Sequence, residues 1–344
     1  MLIIGSCQLA AIVRTWIAAI HVGISTMDSN YPNTGQDLKM KIGITGGTGF
    51  VGRALIKQLA TAGHELKCWR RADSNVQLLD EFSSSIEWVT GELAQPEATE
   101  QLVADCDAVV HSAFWRPGKG FRGTEGNILE FTRINILGTL GLIEAALRQN
   151  VERFVFVSTC AVHEQILDDR PLDETHPLWP LTHYGAHKAA IEKFVHSYGL
   201  GMGYPICAIR PTGIYGIHHP LEDSKWYPIV TDVIAGKSVT VEGGGKEVHV
   251  NDVAHAIEVL LNADVVSITG QAFACYDRYI SRFEVAQMAK EISGSSSEII
   301  GAPKTPKHQI VTDKIQQLGM QFGGETRLRE TIEVMVAAIS KPGS

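Results

Sequence analysis

From position 40 onward, short apolar runs alternate with stretches of helical spacing. "KIGIT" (41–45) is a β-rich apolar run, and after a group of glycines Val51, Leu55 and Leu59 recur at helical intervals until Gly63. Further apolar runs follow at "ELKCW", "IEWV", "DAVVHSA", "RFVFVST" and "PICAIRP", with helical segments between them, notably Ile128–Gln149 and Tyr184–Ser197. Strands alternating with helices predict right-handed crossovers, hence an α/β fold with a parallel sheet covered on both faces. After Arg210 the rhythm loosens. A Gly/His/Pro loop, "SVTVEG", "KEVHV" and helices near Tyr227–Ala235, Val253–Ala263 and Arg282–Ile292 predict a smaller C-terminal α/β lobe. Such a lobe is expected at the carboxyl edge of the sheet, where open α/β folds bind ligands.

The first 39 residues follow another pattern. Leu9, Ile12, Val13, Trp16, Ile17 and Ile20 recur at helical spacing, then a polar stretch, "STMDSNYPNTGQD", leads to Met40. Arg14 interrupts the apolar run, and a charge at mid-membrane costs roughly 2.5–3.5 kcal/mol on insertion scales. No Lys or Arg precedes the run, which makes it a poor secretory signal. The segment 1–39 is therefore expected to be an extension outside the fold, and stable membrane insertion is not expected.

Composition narrows the class. A length of 344 residues, with 44% apolar and 20% charged, fits a globular enzyme with a sizeable core. The net charge of −8, with no dense Lys/Arg cluster, argues against a nucleic-acid partner. Six widely spaced cysteines without a CxxC pair argue against a zinc site and a disulfide framework, and suit a reducing cytoplasm. No metal is expected: His183, His218 and His219 lack carboxylate or cysteine neighbours at ligand spacing.

"GITGGTGFVG" places Gly46, Gly49 and Gly52 three apart, between a strand and a helix that opens with Phe50 and Val51. A tight turn, close approach to a pyrophosphate and close helix–strand packing each require a glycine there, and the helix N-terminus offers free N–H groups to the anion. This is the dinucleotide site of a Rossmann-type doubly wound sheet, and assigns residues 40–210 to dinucleotide binding (completed by later residues) and 211–344 mainly to substrate. At the end of the second strand a carboxylate would bind the ribose hydroxyl of NAD; the chain has Arg70 and Arg71, with Asp73 beyond. Guanidinium groups match a 2′-phosphate, so NADP is favoured over NAD.

"YGAHKA" places Tyr184 and Lys188 four apart, on one face of a helix. Such a pair is common on a solvated flank; here it follows the glycine triplet and a Thr after the fifth strand. That combination resembles the short-chain dehydrogenases/reductases, and over about 40–339 the chain resembles their extended, epimerase/dehydratase branch. The resemblance implies that Thr159, Tyr184 and Lys188 are catalytic and that Asn135 in "INILGT" orders the active site. It implies cofactor contacts at Glu92 and Leu93 in "GEL", at His111, Ser112 and Ala113 in "HSA", at Tyr184 and Lys188, and at Pro211 in "RPTGIYG". His163 stands where the family often has Tyr, and Asn251 departs from its His-Val-Asp-Asp motif. It also implies a homodimer through the 128–149 and 184–197 helices.

A free tyrosine titrates near 10, and a nearby ammonium brings it toward neutrality by favouring the phenolate. Tyr184 is then expected to exchange a proton with the substrate oxygen, which Thr159 holds while hydride moves between carbon and nicotinamide. Nucleotide-sugar epimerases carry an Arg four residues before the His of "HVNDVA"; here that position is Gly245, with Lys246 beside it. With Arg70 and Arg71, this favours a reductase or dehydrogenase of a small substrate lacking a nucleotide. The alternatives are a nucleotide-sugar epimerase or dehydratase with tightly held NAD and, from another class, a non-catalytic NADP-sensing regulator. In "FWRPGKGFRGTEG", Phe114 and Trp115 are candidates for an apolar substrate wall, and Arg116, Lys119 and Arg122 for anion contacts.

Overall fold

The computed structural model describes residues 39–118 and 126–340. The helical pattern of the first 38 residues, and Lys119 and Arg122, lie outside the described residues.

The strands β1 (Lys41–Thr45), β2 (Glu65–Arg70), β3 (Ile86–Thr90), β4 (Ala108–His111), β5 (Arg153–Val157) and β6 (Ile206–Pro211) fall on the apolar runs of the sequence. With β10 (Gln271–Cys275) they form a seven-stranded sheet in the order β10-β6-β5-β4-β1-β2-β3. Every neighbouring pair is parallel. Because helices cover both faces, the strand interiors are almost wholly apolar, and the two-residue alternation sends side chains to different cores. Ile42 and Ile44 join Leu55, Leu59, Ile257 and Leu260 on one face, under helices Phe50–Thr61 and Val250–Asn262. Val109, Phe154 and Phe156 join Leu142, Ile143 and Val195 on the other, under Gly138–Arg148 and His183–His196. The strand order reverses where β1 lies between β2 and β4, which opens a crevice at the carboxyl ends of the strands.

The sequence pattern predicts one regular helix over Ile128–Gln149. The structure has two α-helical pieces, Ile128–Thr132 and Gly138–Arg148, joined by a wide π-helical turn at Arg133–Leu137. Such turns often accompany functional sites, and this one carries Asn135. The later residues add a three-stranded sheet, β7 (Gly213–Tyr215), β9 (Gly244–His249) and β11 (Arg278–Ser281), and a two-stranded one, β8 (Val239–Val241) with β12 (Ile299–Gly301). Their own core of Tyr215, Trp226, Val230, Val285, Leu328 and Ile332 is closed by helices Tyr227–Ile234, Arg282–Ser293 and Gly324–Ile339.

Behind the carboxyl edge lies an ion pair cut off from solvent. Glu192, on the His183–His196 helix, is 0% exposed and Arg210, at the end of β6, is 2% exposed. Arg210 Nη2 donates to Glu192 Oε2 at 2.6 Å, and Nε to both carboxylate oxygens at 3.0 and 3.1 Å. Ser158 Oγ donates to Oε1, and Arg210 Nη1 reaches His163 Nε2 at 3.1 Å and Glu174 O at 3.2 Å. Nearly all donors and acceptors of the pair are thus satisfied, the condition under which buried charges are tolerated. Glu192→Ala strands the guanidinium and is expected to lower unfolding free energy by about 3–5 kcal/mol in a urea titration. The double replacement Glu192→Met/Arg210→Met is expected to cost less than that single change. A single-variant loss below about 1 kcal/mol would show that the pair is not what compensates these charges.

Candidate active site

The crevice forms a cavity of about 1610 Å³ along the carboxyl edge. At one end lies the glycine loop. Gly46 has φ +74°, and a Cβ there would lie 2.8 Å from Ala113 N and from Ser112 Oγ, so β1 and β4 approach each other only through a glycine. A Cβ at Gly52 would lie 2.0 Å from Gly46 O, so the helix begins directly against the turn. Gly49 is different: a Cβ there would meet only Gly46 O, at 3.3 Å, and would project into space that the protein leaves open. Gly49 is also the N-cap of Phe50–Thr61, with no side-chain cap and no acidic residue in the first turn. The N–H groups of that first turn therefore remain available to an anion, and the loop fits a dinucleotide pyrophosphate.

Gly46, Gly49, Phe50, Val51 and Gly52 line this end, and Arg70 and Arg71 line the cavity next to them while Asp73 does not. Glu92, Leu93, Ser112 and Ala113 continue the wall, and Thr159, Tyr184, Lys188 and Pro211 lie at the far end. The structure thus brings these predicted positions into one cavity from strands far apart in sequence. Phe114, Trp115 and Arg116 line it as well.

His111 and Asn135 are placed otherwise. Neither lines the cavity, and both are almost fully buried behind it. Thr45 Oγ1 accepts Ala113 N–H at 3.1 Å and lies 2.7 Å from His111 Nδ1. Thr139 Oγ1 donates to Asn135 O at 2.6 Å and so accepts from His111 Nε2 at 2.8 Å. His111 is therefore the neutral Nε2–H tautomer, and burial, then the nearby Lys188 charge, hold its pKa at about 3. Through Thr45 its side chain supports the backbone of Ala113. Asn135 accepts Trp115 N–H at 2.8 Å and donates to Trp115 O at 3.0 Å and Phe131 O at 3.1 Å. It clamps the segment after β4, a positioning role.

Lys188 is 5% exposed. Its ammonium donates to Val157 O at 2.7 Å and lies 5.1 and 4.7 Å from the ring centres of Phe114 and Phe156. Burial lowers its pKa from 10.5 to about 7, against an opposing pull from Glu192 one turn on. Tyr184 packs edge-on against Phe114, ring centres 5.0 Å apart. Thr182 caps the helix, accepting Gly185 N–H at 3.2 Å, and Glu164 accepts from Leu181 N and Thr182 Oγ1. Thr159 Oγ1 accepts Ala161 N–H at 3.1 Å, which leaves its own hydrogen to donate elsewhere. His163, opposite Arg210, has a pKa of about 3 through burial and the guanidinium, which removes it as an acid–base at neutral pH.

Sequence reasoning missed the buried Glu192–Arg210 pair and the stacking of His218 on Phe50, ring centres 3.6 Å apart. The proximity of Glu192 to Lys188, four positions away, was the available signal for the first; none announced the second. Among the described residues, no group of three or more His, Cys, Asp or Glu side chains could hold a metal ion, and no helix is long and apolar enough to cross a membrane.

Residues 42–274 match the NAD dependent epimerase/dehydratase family, and the chain belongs to that family. It is 32% identical over 212 residues to a 4-hydroxy-2-methyl-3-oxo-4-farnesyl-3,4-dihydroquinoline-1-oxide ketoreductase of Stigmatella aurantiaca. That match covers 60% of this chain and 59% of the relative, less than two thirds of the relative's own length. A dTDP-glucose 4,6-dehydratase of Streptomyces niveus is 28% identical over 295 residues, covering 79% of this chain and 83% of that one. Among solved structures, a UDP-glucose 4-epimerase of Thermotoga maritima superposes with a TM-score of 0.70 at 20% identity, covering 87% of this chain and 98% of that one. At that identity the likeness is one of fold.

The lowered Lys188 pKa has a definite sign in stability. Between about 7 and 10.5 the unfolded chain binds the lysine proton and the folded protein has released it, so stability rises with pH across that window. In cofactor-free protein, the stability of wild type relative to Lys188→Met is therefore expected to increase from pH 7 to pH 10 in chemical denaturation. A difference independent of pH would contradict the buried, weakly compensated ammonium.

Proposed function

We propose that the protein is an NADP-preferring reductase or dehydrogenase that acts on a carbonyl/alcohol carbon of a small substrate without a nucleotide. The observation that carries this reading is the buried Lys188 ammonium one helical turn from Tyr184, in the cavity that also holds Thr159 and the glycine loop. Residues 40–210, with β10, serve the dinucleotide, and 211–344 mainly the substrate.

The glycine loop and the first turn of Phe50–Thr61 hold the pyrophosphate, and Arg70 and Arg71 the 2′-phosphate. Ser112 and Ala113 flank the ribose and phosphates, and Glu92 and Leu93 the adenine. The bound nicotinamide supplies or accepts the hydride. Tyr184 gives its phenol proton to the substrate oxygen in reduction and takes it back in oxidation. Lys188 favours the phenolate, and its near-neutral pKa lets its charge respond to an adjacent anion. Thr159 donates its remaining hydrogen to the same substrate oxygen and holds it in line with Tyr184.

Two observations favour reduction over sugar-nucleotide chemistry. Gly245 stands where the epimerases carry a diphosphate-binding Arg, and the cavity wall at the end of β2 is formed by Arg70 and Arg71. The Stigmatella relative is named as a ketoreductase. The dehydratase and epimerase likenesses support the alternative, conversion of a nucleotide sugar with retained NAD. All five described cysteines are free, in keeping with a cytoplasmic protein. The exposed Leu129 and Leu137, in the first helical piece and the π turn of the 128–149 segment, support a homodimer through that segment and 184–197.

Oxidation of NADPH across a panel of aldehydes and ketones tests the reading. Tyr184→Phe is expected to lower kcat by about 10²–10⁴-fold while NADPH still binds; undiminished turnover would refute the acid–base assignment. Arg70→Ala/Arg71→Ala is expected to raise the Kd for NADPH about tenfold to a hundredfold with little change for NADH. Equal effects on both cofactors, or NAD that copurifies and does not exchange, would turn the assignment to the epimerase alternative.

A further inference from the structure

At the substrate end of the cavity, β9 brings in a cation of a different kind from the others. Side chains alternate along a strand, so Gly245 and Glu247 share one face and Lys246 takes the opposite one. The Gly245 face is closed: a Cβ on Gly213 would lie 2.5 Å from Glu247 Oε2, and Glu247 is ion-paired with Lys225. Lys246 instead lines the cavity with Thr159 and Cys160.

Three other cations of the cavity are already engaged. Arg133 donates twice to Glu130, at 2.9 and 2.8 Å, Lys188 donates to Val157 O, and Arg71 faces Asp73 at 3.6 Å. Lys246 is partly buried, and among the described residues neither a carboxylate nor another acceptor pairs with its ammonium. Burial lowers its pKa, and the Cys160 thiol on the same wall is kept protonated and uncharged by burial, which raises its pKa to about 12. A cation withdrawn from water without a partner is unfavourable, and an arriving anion relieves that cost. The same cavity has apolar lining at Ile166, Leu172, Ile214 and Ile310, with Leu172 and Ile310 joined by a backbone bridge.

We propose that Lys246 is the substrate anchor of this cavity, pairing with a carboxylate on an otherwise apolar carbonyl compound whose reacting carbon meets Thr159 and Tyr184. A diphosphate is a poorer occupant, because Lys246 is a single point charge and neighbouring Lys225 is committed to Glu247. The carboxylate takes no part in bond changes: hydride from NADPH goes to the carbonyl carbon, the Tyr184 proton goes to its oxygen, and a hydroxy acid results. The assignment rests on the reductase reading above.

The test uses the full chain with NADPH and matched pairs of keto acid and methyl ester, benzoylformate and 2-oxo-4-phenylbutanoate being the acids. Wild type is expected to show a KM about tenfold to a hundredfold lower for each acid than for its ester. Lys246→Met is expected to bring the two within about threefold, and Lys246→Arg to restore part of the difference. Acid preference retained in Lys246→Met, or absent from wild type, overturns the anchor. Binding of 2-hydroxy-4-phenylbutanoate to the protein with NADP, followed by tryptophan fluorescence, separates the two readings. Binding that weakens tenfold or more in Lys246→Met, in a protein that reduces none of the ketones, supports the anchor and refutes the reductase. Esters reduced readily, with no binding of the hydroxy acid, refute the anchor and leave the reductase standing.

Discussion

A lysine ammonium that is 5% exposed must find its compensation inside the protein, and at Lys188 that requirement links the sheet, the helix and the cavity. Its hydrogen bond to Val157 O pins the His183–His196 helix to the end of β5, where Thr159 follows two residues later. The Phe114 and Phe156 rings lie beside it, and Phe114 also packs against the Tyr184 ring. One cation thereby sets the position of the phenol, the hydroxyl and the segment leaving β4. Compensation remains incomplete, which is why burial, even against the pull of Glu192, brings its pKa down to about 7. A fully paired lysine would be firmly charged and insensitive to a neighbouring phenol.

Glu192 serves two charges at once. It is the carboxylate nearest in sequence to Lys188 on the helix, yet its oxygens are committed to Arg210 and Ser158. Arg210 ends β6, and Ser158 immediately precedes Thr159. The pair therefore holds two strand ends and the helix in register, while its pull on Lys188 acts at longer range. On the other side of β4, the Thr45–His111–Thr139 chain does the same for Ala113 without any net charge. Behind the cavity, Glu192, Arg210, Ser158, Thr45, His111 and Thr139 are all hydrogen-bonded to one another or to nearby backbone.

The parts legible in the sequence are those set by local spacing. The glycine triplet, the Tyr184/Lys188 interval and the apolar runs of β1 to β6 each lie within a few residues, and the seven-stranded parallel sheet follows from their alternation. β10 was not legible, because "QAFAC" looks like any short run of the second lobe and its place beside β6 comes from pairing across more than sixty residues. The π turn at Arg133–Leu137 has no compositional mark, so a regular helix is the natural expectation there. His111 is instructive. A motif carries a residue type to a position but not the direction of its side chain, and alternation from Val109 places His111 on the face packed under Gly138–Arg148 and His183–His196. Glu192 and Arg210 looked like ordinary charges because burial, not type, is what distinguishes a structural pair from a solvated one.

This division between satisfied and unsatisfied groups bears on how the fold accommodates different substrates. The networks on β1, β4, β5 and β6 hold Ala113, Ser158, Arg210 and Lys188 in place, so changes there are penalised in stability. The residues of β7 and β9 face the same cavity from one small three-stranded sheet, apart from the strands that carry those networks. A glycine at 245 and a lysine at 246 exchange the face on which a cation is presented without altering a strand's hydrogen bonds. A one-residue displacement of charge along a strand moves it to the opposite side, which is enough to change what the cavity can hold. The small sheet therefore borders the cavity without taking part in the contacts that hold Lys188, Ser158 and Ala113.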